Sequence, residues 1–301
     1  MTTSSFKRIL DAQFAEGKHL CVGIDPVIEK MPSRYKEQGG VSEWLLEFGK
    51  SCVNQTHTCA AAYKPNIAFF VKHDKPQSPY GTTALWRICA YIKKHHRKIP
   101  IILDTKDADI GNTNHGYVRR ALGLAHAVTL NPYLGEEALR PFLDSDLTCI
   151  MLARTSNKGA DEFQNRLTQV TESELDLFGE SAVRLGDPEG TGWYFMPHYQ
   201  VVSGRISHFW KSREMRGIVA GATAPDELGQ ILDVTKRSTL ALIPGIGTQG
   251  GDLEAVMRQL GRLDHKKFLI NSSSGIIFAD DPKAAAQELD GQIRQLMMLS
   301  E

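Results

Sequence analysis

The sequence predicts an α/β protein, a (β/α)8 TIM barrel, built as a single domain over residues 1–301 with one long insertion after the fifth strand. Three observations point there. Short apolar runs recur eight times. Most are followed by a loop and a stretch of helical spacing. Polar and charged residues gather just past the C-terminal ends of those runs, where barrels of this kind assemble their sites. Eight evenly used units favour closure over a doubly wound open sheet.

The runs lie at 20–24, 61–63, 99–103, 126–130, 148–152, 217–220, 240–243 and 267–270. They are close to continuously apolar, as strands buried on both faces must be. Between the first and second, Val41, Trp44, Leu45, Phe48 and Cys52 repeat at helical spacing. Leu85, Ile88, Cys89 and Ile92 do the same before the third, and Leu289, Ile293, Leu296 and Met297 mark a closing helix. The connection from 155 to 216 is far longer than the rest and contains the turn-rich Gly-Asp-Pro-Glu-Gly-Thr-Gly-Trp at 186–193. A connection of that length suits a lid or binding loop carried on the barrel.

Hydrophobic residues make up 42% of the chain, enough for a full core. Lys+Arg and Asp+Glu each number 35, with no long run of one sign, which argues against an electrostatic nucleic-acid or membrane partner. Five cysteines at irregular spacing suggest buried, reduced thiols in a cytoplasmic protein. The first residues lack the apolar core of a signal peptide, and no run is long enough to span a membrane. The ten histidines show no ligand spacing, so no metal site is indicated.

The strand ends, in order, offer Asp25, Lys64, Asp104 with Lys106, Asn131, Ser156, the Gly-Ala-Thr turn at 221–223, a glycine-rich seventh loop and Asn-Ser-Ser-Ser-Gly at 271–275. Asp104 and Lys106 are two apart, so on a regular strand they point to the same side. Asp109 follows where the strand opens, so one ammonium is offered two carboxylates. An isolated Asp-x-Lys is most often a structural ion pair. The second carboxylate and the Ile-Gly-Asn-Thr that follows it favour a site. Pro-Gly-Ile-Gly-Thr-Gln-Gly-Gly at 244–251 contains a Gly-x-Gly-x-x-Gly, but at the seventh unit and without the acidic residue of a dinucleotide fold. Its backbone N–H groups suit a phosphate cradle instead.

From about residue 6 to 278 the chain resembles orotidine 5′-monophosphate decarboxylases, in their longer bacterial-type branch. Six segments carry the resemblance, at 21–26, 63–70, 104–113, 129–135, 155–159 and 244–251. It implies decarboxylation of orotidine 5′-monophosphate to UMP and CO2 in de novo pyrimidine biosynthesis, without metal or cofactor, by a homodimer with shared active sites. Lys106 then matches the proton donor and Asp104 the residue facing the leaving carboxylate. Asp109 and Thr113 match residues that reach the neighbouring subunit's site. Asp25 and Lys64 match the ribose-binding pair, Ser156 the reader of the pyrimidine edge and Gln249 a phosphate contact. One departure stands out: Ser274 occupies the place of a phosphate-gripping arginine, next to Gly275. A serine hydroxyl cannot replace a bidentate guanidinium. Backbone N–H groups of Ser274 and Gly275, or a cation of the long loop such as Arg205 or Lys211, are the expected substitutes. Two other functions stay open at this point. One is a metal-dependent sister barrel acting on a sugar phosphate, and the other is a weakened nucleotide-binding homologue.

Overall fold

Side chains in a strand alternate between its two faces, and this decides the architecture. The computed structural model describes residues 5–37, 39–178, 182–185, 192–236, 238–247 and 250–299. In chain order its strands are β1 (Leu20–Ile24), β2 (Ala60–Pro65), β3 (Ile102–Asp107), β4 (Ala127–Leu130), β5 (Thr148–Arg154), β6 (Leu167–Val170), β7 (Val183–Leu185), β8 (Trp193–Pro197), β9 (Arg216–Ala220), β10 (Leu240–Pro244) and β11 (Phe268–Ser272). Eight of them form one parallel sheet in the order β2-β1-β11-β10-β9-β5-β4-β3. Bridges Tyr63–Ile101 and Asn66–Asp104 join its two ends, closing the predicted barrel.

Cys21, Ile102, Ala127, Ile150, Leu242 and Leu269 fill the barrel interior. Their strand neighbours Val22, Leu103, Val128, Met151, Ile243 and Ile270 pack outward against the helices. The helices are α1 (Ser5–Ala15), α2 (Val41–Thr56), α3 (Ala68–Val71), α4 (Tyr80–His95), α5 (Gly111–Leu124), α6 (Gly135–Leu143), α7 (Glu172–Phe178), α8 (His198–Gly204), α9 (Pro225–Val234), α10 (Leu253–Arg262), α11 (Ser274–Ile277) and α12 (Pro282–Met298). Sequence reading passed over α1. Its Phe6 and Leu10 are fully buried in the interior cluster and cap that end of the barrel. Each such side chain contributes about 1.5–3 kcal/mol on leaving water.

The long connection is not a plain loop. β6, β8 and β7 form a small antiparallel sheet, and α8 packs on both that sheet and β5. The insertion is therefore anchored through a helix of the barrel ring. Most of the turn-rich stretch at 186–193 lies outside the described residues.

His19, just before β1, is stacked between Phe14 and Phe268 at 4.6 and 4.1 Å between ring centres. Its Nδ1 lies 3.0 Å from the Phe268 carbonyl oxygen. Burial depresses its pKa from 6.5 to about 4. The unfolded chain thus takes up this proton first, so the stability His19 supplies is complete above about 6.5 and is lost as pH falls towards 4. His126, lowered to about 4 by burial, acts in the same direction. Melting temperature is expected to drop across that window, and less steeply for His19→Gln. Equal slopes would remove His19 from the titration.

Candidate active site

The end of β3 departs from a regular strand, and the departure creates the site. The β3–β4 register slips between Leu103 and Asp107. Thr105 and Lys106 donate their backbone N–H groups to Thr129 Oγ1 at 3.0 and 3.1 Å, in place of a β4 carbonyl. Lys106 takes φ of 54°, a left-handed conformation costly for a residue with a Cβ. Asp104 and Lys106 do meet, as expected, but through this bulge rather than through strand alternation.

Asp104 is the hub. Its Oδ2 accepts from Lys64 Nζ and its Oδ1 from Lys106 Nζ, both at 2.6 Å. Thr129 Oγ1 adds a third bond to Oδ1 at 2.8 Å. The sequence reading of one ammonium between two carboxylates is corrected here: within the chain, one carboxylate lies between two ammoniums. Lys64 arrives from β2 because the barrel closes β2 onto β3. Burial alone would raise the Asp104 pKa, but Lys64 and Lys106 outweigh it and hold the carboxyl well below its ordinary value. For Lys64, burial works against the charge, yet Asp104 and then Asp25 raise its pKa above the ordinary lysine value. Burial raises the Asp25 pKa, with Lys64 opposing.

These groups lie on the wall of a cavity of about 690 Å³ at the C-terminal mouth of the barrel. Asp25, Lys64, Asp104, Lys106, Ser156 and Ser274 all line it. Asp25 Oδ1 is buried without a hydrogen-bond partner, which leaves an acceptor for a ligand hydroxyl. Ser156 owes its place to Gly221, where a Cβ would stand 2.8 Å from the Ser156 nitrogen. The seventh loop keeps its glycines because Gly245 and Gly247 have φ of 109° and 84°.

Not every predicted residue joins this cavity. Asp109 and Thr113 lie outside its lining, on the β3–α5 loop and the first turn of α5. Asn114, fully buried, ties that loop down by donating to the carbonyls of Asp109 and Ala138, both at 2.6 Å. Gly275 sits in α11, one residue past the lining, and Gln249 lies outside the described residues. Asn131 caps the turn after β4, accepting from Tyr133 N at 3.1 Å, so its role is structural. Neither Arg205 nor Lys211 of the long loop lines the cavity. Arg205 pairs with Glu174 at 2.5 Å, and Lys211 lies beside α6, its backbone bonded to Glu136 and Arg140.

Sequence reading missed Lys30, Asn66, Thr129 and Gln164, all on the cavity wall. Thr129 and Asn66 sit inside segments already singled out, so position relative to the strand end was the available signal. Gln164 belongs to the insertion and accepts from Thr155 N at 2.8 Å, a contact that sequence spacing does not announce.

Comparison with known proteins agrees with this geometry. Residues 18–289 match the model of the orotidine 5′-phosphate decarboxylase / HUMPS family. An orotidine 5′-phosphate decarboxylase of Ralstonia nicotianae is 34% identical over 286 residues, covering 92% of this chain and 93% of that protein. The enzyme of the same name from Cellvibrio japonicus is 32% identical and covers 97% of both. The solved OMP decarboxylase of Leishmania donovani superposes with a TM-score of 0.74 at 30% identity, over 98% of this chain and 99% of that one. An eight-stranded parallel barrel with a charged cavity at its mouth, matched in sequence over nearly its whole length, places this chain in the orotidine 5′-phosphate decarboxylase / HUMPS family.

Proposed function

We infer that this chain is a carboxy-lyase that converts orotidine 5′-monophosphate to UMP and CO2 in pyrimidine biosynthesis. The observation that carries this reading is the Lys64–Asp104–Lys106 chain of charge on the cavity wall of a member of this family. When the bond from the pyrimidine ring to its carboxylate breaks, the electron pair stays on the ring carbon and CO2 leaves. Lys106, its side chain about half exposed to the cavity mouth, is the proton donor to that carbon. Its positive charge stabilises the carbanion as it forms. Asp104, held ionised by its two lysines, faces the departing carboxylate and fixes the Lys106 ammonium in place. Asp25 and Lys64 hold the ribose hydroxyls, Ser156 reads the pyrimidine, and Gln249 with the Ser274–Gly275 backbone contacts the phosphate.

The test follows loss of orotidine monophosphate absorbance with purified protein, with and without EDTA. Turnover indifferent to the chelator supports the reading. Abolition by EDTA favours the metal-dependent sister barrel, and binding without turnover favours the weakened homologue.

Two further features belong to this reading. The five cysteines are all buried and free, which suits a reducing cytoplasm. We treat the chain as one domain, because α8 links the insertion to the barrel ring.

The working enzyme is a homodimer. Asp109 and Thr113 lie beside Ile110, which is 68% exposed, and the adjoining loop after β4 presents Tyr133 at 85%. Such side chains on neighbouring loops suit a covered surface. In a two-fold pair they carry Asp109 and Thr113 to the partner's cavity. Mixing Lys106→Ala with Asp109→Asn chains is then expected to restore about one quarter of wild-type activity, since each heterodimer keeps one intact site. No recovery after verified subunit exchange counts against shared sites.

A further inference from the structure

We propose that Lys30 is the cation that receives the substrate's 5′-phosphate in this protein. The proposal rests on the reading that the cavity takes a nucleoside monophosphate. A phosphate entering a partly buried cavity needs counter-charge as well as hydrogen-bond donors. Among the described residues, the cavity lining holds three cations: Lys30, Lys64 and Lys106. Two of these are committed to Asp104 at 2.6 Å each, on the β2–β3 side of the barrel. Lys30 has no carboxylate partner among the described residues.

Its placement suits the task. Lys30 ends a short turn, Ile28–Lys30, that follows β1, and β1 pairs with β11. Its Nζ lies 5.9 Å from the centre of the Phe278 ring. Phe278 in turn donates its backbone N–H to the Ser274 carbonyl at 3.3 Å. The ammonium therefore stands beside the C-terminal end of α11, and Lys30, Phe278 and the Ser273 and Ser274 that begin this helix all line the cavity. Met31, next in the chain, is buried, 3% exposed, and anchors the turn, while Lys30 itself is exposed. An exposed ammonium over an aromatic ring gives up little when it turns to a phosphate oxygen, because an exposed cation–π contact is weak. Nothing in the sequence marks Lys30 out. It is one of several surface lysines until β1 and β11 are brought side by side.

The test compares wild type, Lys30→Ala and Lys30→Arg for binding of UMP and of uridine, which lacks the phosphate, alongside turnover of orotidine monophosphate. Lys30 is exposed, and unchanged melting temperatures serve as the fold control. Lys30→Ala is expected to weaken UMP about ten- to hundredfold, the range for a hydrogen bond to a charged group, with uridine binding unchanged. The same variant should lower kcat/KM for the nucleotide by a similar factor. Lys30→Arg, which keeps the charge, should hold most of the affinity. UMP binding unchanged in Lys30→Ala overturns the proposal, as does an equal loss of UMP and uridine, which marks a structural role. Wild-type protein that neither binds UMP nor turns over the substrate instead overturns the reading of the site, and this proposal with it.

Discussion

Lys106→Ala is expected to lower turnover of orotidine monophosphate by at least about a thousandfold, since the variant loses both the proton donor and the charge facing the carbanion. Stability should change little. The Lys106 side chain is about half exposed, and Asp104 keeps Lys64 at 2.6 Å and Thr129 at 2.8 Å after the lysine is gone. Alanine also keeps a Cβ at the left-handed position, so the backbone cost at φ of 54° is carried over unchanged. UMP binding should survive, because Lys106 acts at the ring carbon. A variant that retains more than a few per cent of wild-type kcat with a normal melting temperature would falsify the assignment of Lys106 as donor.

Asp104→Ala is expected to cost both activity and stability, which separates it from Lys106→Ala. Lys64 is buried, and its charge depends on Asp104 first and Asp25 second. Removing one partner of a buried pair typically costs about 3–5 kcal/mol, and here Asp25 alone is left to compensate the Lys64 ammonium and holds the loss towards the lower end of that range. Removing both, as in Lys64→Met with Asp104→Leu, should recover much of that stability while leaving the enzyme inactive. Urea unfolding of the single and double variants provides the check. The pH dependence has a definite sign. Because the folded-state pKa of Asp104 is depressed, its contribution is present above the ordinary carboxylate range and is lost as pH falls below it. A single variant that unfolds at the same urea concentration as wild type removes Asp104 from the role of hub.

Much of this protein was legible in its sequence, for a local reason. A strand buried on both faces must be apolar along its length, and a helix on the barrel's outside must repeat its apolar residues at helical spacing. The eight runs, the helices over 41–56 and 80–95, and the polar residues past the strand ends follow from those two requirements. Asp25, Lys64, Asp104, Lys106, Ser156 and Ser274 reach one cavity because each ends a strand at the same mouth. Which of them pair was not legible. That Lys64, forty residues from Asp104, shares its carboxylate depends on the closure of β2 onto β3, and that Lys106 reaches it at all depends on a register slip and a left-handed residue. The small sheet within the insertion and the position of Lys30 beside α11 have the same origin. Periodicity reports which face of an element is buried. Strand register and barrel closure, set by contacts far apart in the chain, decide what that face meets.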